Sequence, residues 1–168
     1  MDDFIGLAAR STRGAFIEAC EFPFLYAVAT FRTIPKSREQ SGRFAAGTTR
    51  SAPRSSLSDG AAAPRVLPVR KVQQTFASMI TVGRTKNNDV VLADTLISKL
   101  HAYFQINGRT LALVDAGSAN GTRVGGVLLP PKGDPKPVKP GDRIGFGHFE
   151  FVLVDAGGLW DALRSTPR

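Results

Sequence analysis

The chain has 168 residues, of which 42% are hydrophobic and 8% aromatic, a length and balance suited to one globular domain with an accessory segment. A single cysteine, Cys20, excludes an internal disulfide, and two histidines, His101 and His148, are too few for a metal cluster, so no metal or other cofactor is expected. The net charge of +8 is concentrated between Arg32 and Arg65, where seven basic residues stand against two acidic ones.

Residues 1–20 read as a helical segment. Phe4, Leu7, Ala8, Ala15, Phe16 and Cys20 recur at three- and four-residue steps, Ser11 or Thr12 could cap a second short turn, and the expected role is a lid on the edge of the main domain. The opening Met1-Asp2-Asp3 is acidic where a secretory signal would be basic, so export is not expected. No stretch approaches the ~20 apolar residues of a membrane span, which leaves the cytoplasm as the default compartment.

Phe22 to Phe31 has strand composition, with Pro23 at the start where a strand tolerates it. A basic stretch rich in Ser, Ala and Pro follows over about 33–64; it has no apolar periodicity and reads as a disordered insertion between two strands. Its charge also suits an acidic partner or nucleic acid, but no base-reading pattern accompanies it, so nucleic-acid binding is the weaker expectation.

Beyond the insertion the chain is a series of short strands. They are expected at Val66–Val72, Ser78–Arg84, Val90–Leu92, Ala102–Ile106, Leu111–Asp115, Thr122–Val124, Val127–Leu129, Arg143–Phe146 and Phe149–Val154. Asn107-Gly108, Gly125-Gly126 and Gly147-His148 supply hairpin turns, and Pro130–Pro140 reads as an irregular loop. Leu159–Leu163 gives one or two turns of terminal helix within a tail over 157–168. Many short strands with no helix between them argue an all-β sandwich over 21–156, its motif-bearing core at 76–154.

Three loops carry chemistry. Gly83-Arg84 ends a strand with a guanidinium whose planar fork matches anionic oxygens. Ser98 offers a hydroxyl and a backbone amide, and Lys99 beside it an ammonium. Asn120 can both donate to and accept from an extended backbone, while Gly121 permits the left-handed turn before Thr122. Such groups suit a small dianion on a peptide better than a bond-breaking step. Adjacent Ser98 and Lys99 point apart on a loop, and Asp115 and Asp142 have no second carboxylate arranged against them, so no enzyme is expected. His101, beside apolar residues, reads as a structural brace.

In order and spacing, Gly83-Arg84, Asn88-Asp89, Ser98 to His101, Asp115 to Thr122 and Gly141-Asp142 resemble the pattern of the forkhead-associated (FHA) family. That resemblance implies an FHA-like sandwich of two mostly antiparallel sheets that binds phosphothreonine peptides without catalysis, as an adaptor or scaffold in Ser/Thr kinase signalling. The implied partner is a phosphothreonine-containing protein or peptide, with a Ser/Thr protein kinase or its substrates as the source. Arg84 and Ser98 would hold the phosphate, Lys99 would add charge, and Asn120 would grip the peptide. Gly83, His101, Gly121 and Thr122 would be structural. Ala119 falls at a phosphopeptide-binding position where many relatives carry Ser or Thr, and this departure keeps open a phosphate-independent interaction domain of the same fold. Leu96 falls where relatives read the third residue after the phosphothreonine.

Overall fold

The computed structural model describes residues 3–27, 65–74, 76, 78–108 and 110–165. Within them the chain forms two packed sheets. The first has six strands in the order β2 (Arg65–Pro68), β1 (Phe24–Ala27), β11 (Phe149–Val154), β10 (Arg143–Phe146), β7 (Thr122–Val124) and β8 (Val127–Leu128). The second has five, in the order β4 (Val90–Val91), β3 (Met79–Gly83), β5 (Ala102–Asn107), β6 (Thr110–Asp115) and β9 (Lys136–Val138). Every pairing is antiparallel except β3 with β4. The expected sandwich of two mostly antiparallel sheets is therefore the fold of this chain.

Alternation places the core. Ile80 and Val82 of β3, Ala102 and Phe104 of β5, Ile144 and Phe146 of β10, and Phe151 and Leu153 of β11 point between the sheets and are buried. Burying a side chain of this size contributes about 1.5–3 kcal/mol. Strand β1 is buried on both faces, because Leu25 and Ala27 join that core while Phe24 and Tyr26 face outward into a second one.

Two short helices, α1 (Phe4–Arg10) and α2 (Arg13–Ala19), and a longer α3 (Ala156–Ser165) supply that second core. Phe4, Ala8, Phe16, Cys20 and Leu159 pack on Phe24 and Tyr26, with the Phe4 and Phe24 rings edge-to-face at 5.0 Å. Thr12, one of the two residues expected to cap a second turn, caps α2 and accepts from the Ala15 amide at 3.4 Å. The helices lie over the outer face of β1 and β11 rather than against the sandwich edge. Arg13 of α2 makes two bonds of 3.1 Å to Asp161 of α3, tying the layer together.

Several boundaries differ from the sequence reading. The first strand is described only to Ala27, and the basic insertion lies outside the described residues. The second strand stops at Pro68, whose ring removes a ladder donor. At the Asn107-Gly108 hairpin, Asn107 pairs with Thr110, so the loop begins one residue later, at Gly108 with φ +61°. The stretch 130–140 contains strand β9, which pairs with β6 and buries Val138 against the core. The terminal helix has ten residues. Gly125-Gly126 and Gly147-His148 turn the chain as expected, closing Val124 on Val127 and Phe146 on Phe149.

Candidate functional site

The loops β3–β4, β4–β5 and β6–β7 and the β10–β11 turn meet at one end of the sandwich, laced by hydrogen bonds. The Arg84 amide donates to the Ser98 carbonyl at 3.0 Å, joining the first loop to the second. The Ala119 amide donates to Ser98 Oγ at 3.1 Å and Asn120 Nδ2 to the Leu96 carbonyl at 2.7 Å, joining the second to the third. The Gly147 amide donates to the Gly121 carbonyl at 2.9 Å and brings in the fourth.

Beneath these loops His101 is fully buried. The Ser98 amide donates to its Nδ1 at 3.2 Å, which leaves Nε2 to carry the proton and donate to the Gly121 carbonyl at 3.1 Å. Burial pushes its pKa down, only partly opposed by the Gly121 bond and the charge of Asp115, so the ring is held neutral. The Ser98 amide expected to face a ligand is thus committed to His101. The hydroxyl is not: among the described residues it only accepts, and its own hydrogen stays free to donate.

Asp115 shapes the third loop. It accepts from the Gly117 and Ser118 amides and from the hydroxyls of Ser118 and Thr122, the last two at 2.6 Å. Burial alone would raise its pKa, but these bonds outweigh that and hold it low. Gly121 turns at φ +77°, with Leu128 against its Cα, and Thr122 is buried. Asp142 accepts from the Lys139 amide at 2.9 Å and braces a separate turn.

The first two loops have their own clamp. Asn88 Nδ2 donates to the Lys99 carbonyl at 2.7 Å and to the Thr85 carbonyl at 2.9 Å, and Thr85 Oγ1 also reaches the Lys99 carbonyl. Gly83 makes room for this approach. A Cβ there would stand 2.3 Å from the Lys99 carbonyl oxygen and 2.7 Å from Asn88 Nδ2. Because that obstacle is backbone, Gly83→Ala is expected to cost about 1–3 kcal/mol in urea denaturation. A loss below about 0.5 kcal/mol, in the range of an ordinary surface change, would show that the strand end yields.

The arrangement gathers Arg84, Ser98, Lys99, Ala119 and Asn120 at one end of the fold, with Gly83, His101, Gly121 and Thr122 supporting them. Among the described residues the Arg84 guanidinium and the Lys99 ammonium have no hydrogen-bond or ion-pair partner. Asn120 keeps one N–H and its carbonyl oxygen. Two bracing residues were not singled out as such in the sequence. Asn88 is one, and Asp89, which anchors β3 to the segment at 71–73, is the other; their only signal was the Asn-Asp pair in the family pattern. Also among the described residues, no group of three or more His, Cys, Asp or Glu side chains could hold a metal ion, and no helix is long and apolar enough to cross a membrane.

The family model of the FHA domain matches residues 80–147. An oxoglutarate dehydrogenase inhibitor of Corynebacterium efficiens is 36% identical over 44% of this chain and 49% of its own length. The glycogen accumulation regulator GarA of Mycolicibacterium smegmatis is 32% identical over 44% of both chains. The match therefore spans about half the length of these relatives. Among solved structures, the FHA domain of a Chlamydia trachomatis protein aligns at TM-score 0.49 and 21% identity, over 79% of this chain and 97% of that one. The matched segment runs from β3 through the laced loops to the β10–β11 turn, and over that segment the chain matches the FHA domain.

Proposed function

We infer that this FHA domain is a non-enzymatic module that binds a phosphothreonine-containing segment of a partner protein, the product of a Ser/Thr kinase. One observation carries this reading. Two unpartnered cations, Arg84 and Lys99, stand on a rigid, hydrogen-bonded frame beside a hydroxyl whose hydrogen is uncommitted. Arg84 gives the forked contact to two phosphate oxygens and Ser98 Oγ donates to a third. Lys99 adds a charge that tolerates many geometries, and Asn120 binds the peptide backbone with its remaining N–H and carbonyl. No nucleophile–base pair accompanies these groups, so the phosphate is held and not transferred.

The relatives named as an inhibitor and a regulator support a role in controlling another protein. The test is binding of the full chain to degenerate peptide libraries carrying phosphothreonine, phosphoserine or neither. Micromolar binding confined to phosphorylated sets is expected, weakening with salt as exposed charge pairs do. Ala119 brings no hydroxyl to the phosphate, so the margin of phosphothreonine over phosphoserine measures what the remaining contacts supply. Equal binding of the unphosphorylated set would overturn the reading in favour of a phosphate-independent interaction domain.

A further inference from the structure

A hollow of about 230 Å³ opens beside the phosphate candidates, lined by Phe76, Thr81, Thr85, Asn87, Asn88, Lys99 and Leu100. Cavities of ~150 Å³ already admit a benzene-sized group, so its volume suffices for a peptide side chain. Several polar groups of its wall are bound within the protein. Asn88 Nδ2 is bound to Thr85 and to the Lys99 carbonyl, and the Thr85 hydroxyl to Asn87 Oδ1. Thr81 Oγ1 donates to Asp89 and accepts from its amide. What remains is the Lys99 ammonium, a phosphate contact in the proposed site, and apolar surface: Phe76, 59% exposed, Leu100, 43% exposed, and the stem of Lys99. Phe76 sits at φ +58°, an uncommon conformation for a bulky residue, with its ring out in solvent.

We propose that this hollow is a specificity pocket for an apolar side chain of the bound peptide, on the flank opposite the one held by Asn120. The proposal rests on the phosphothreonine reading above. Its geometry comes from the β4–β5 loop, which runs from Leu96, bound by Asn120, through Ser98 and Lys99 to Leu100, a wall of the hollow. A peptide in extended form advances ~3.3 Å per residue, so one anchored by phosphate at Ser98 and Lys99 reaches the hollow within about three residues. An acidic or amide side chain gains little there once the phosphate engages the Lys99 ammonium, the one charge on the wall. An aliphatic or aromatic one buries the exposed surfaces of Phe76 and Leu100 together.

Position-by-position enrichment from the phosphothreonine library, with variants, tests this. Wild type is expected to enrich Leu, Ile, Met or Phe at one position within three residues of the phosphothreonine. Phe76→Asn, which suits the left-handed backbone, and Leu100→Ser, at an exposed site, are expected to erase that enrichment. Each should lower affinity for the selected peptide roughly tenfold, the scale of losing apolar contact in a pocket. Binding of a peptide with alanine at that position should stay within about twofold, which separates a lost pocket from a damaged fold. Phosphate-dependent binding without apolar enrichment, or enrichment unchanged in both variants, would overturn the pocket and leave the phosphothreonine reading intact. Absence of phosphate-dependent binding by wild type would overturn both.

Discussion

Arg84→Ala is expected to weaken phosphothreonine-peptide binding by about two orders of magnitude while leaving the domain folded. Charge-assisted hydrogen bonds contribute roughly 1.5–3 kcal/mol each, and a forked guanidinium makes two to one phosphate. Part of that is offset by ordering a long side chain, so a net loss near 3 kcal/mol, or about a hundredfold, is the reasonable scale. Folding is spared because the structural contribution of Arg84 is its backbone amide on the Ser98 carbonyl, which alanine keeps. Arg84→Lys would restore the charge without the fork and recover only part of the affinity. Calorimetric titration with a phosphothreonine peptide, beside a thermal melt, reads both effects. Undiminished affinity in a folded Arg84→Ala protein would take the phosphate away from this loop junction.

Lys99→Ala offers the contrast within the same site. Its ammonium acts as a point charge at an exposed position, so its removal is expected to cost less than that of Arg84 and to flatten the salt dependence. The ranking of the two cations is thus a property of their geometry, not of their charge, which is the same.

Strands whose core-facing residues recur at every second position, and which end in glycine turns, could be read before folding was considered. Phe149–Val154 and its partner Arg143–Phe146, closed by Gly147-His148, are of that kind. Strand β9 was not legible because Lys-Pro-Val buries only Val138 and places Pro137 on an edge, too short a pattern to distinguish from a loop. The break between α1 and α2 was half visible, because Ser11 or Thr12 offered a cap while the apolar spacing gave no sign of a break. Phe4, Ala8 and Phe16 face the same sheet, so their spacing continues across a cap that interrupts the backbone. At the site, residue types and spacing pointed to Arg84, Ser98, Lys99 and Asn120, since the motifs are local. Which of their atoms are free was not readable. That the Ser98 amide is spent on His101 while its hydroxyl hydrogen is spare depends on a ring three residues away turning inward. Asp89 was less visible still, because its donors come from residues 16 to 18 positions earlier, in a stretch with no periodic pattern.

Asp89→Ala is expected to be the most destabilising single change in the motif region, costing about 3–5 kcal/mol, the scale of breaking a buried ion pair. The carboxylate is inaccessible to solvent and accepts from Lys71 Nζ at 2.9 Å, the Val72 and Gln73 amides at 2.7 Å, and the Thr81 amide and hydroxyl at 2.8 and 3.0 Å. Truncation strands these donors and frees the segment at 71–73 from strand β3. Burial alone would raise the pKa of Asp89, but the amides of Gln73, Thr81 and Val72 and the Lys71 ammonium outweigh it and bring it to about 2. A carboxylate held below its ordinary value near 3.8 stabilises the fold fully above pH ~4 and loses that contribution as pH falls toward 2. The amount is about 2 kcal/mol. Urea denaturation of wild type and Asp89→Asn from pH 7 to 2.5 measures it: the wild-type advantage should be constant above pH ~4.5 and shrink below it. Asp115, whose pKa is also held low, titrates in both proteins and cancels in the difference. A difference that stays constant down to pH 2.5 would show that the Asp89 bonds do not discriminate between the ionised and protonated acid, and the clamp would then owe its strength to packing alone.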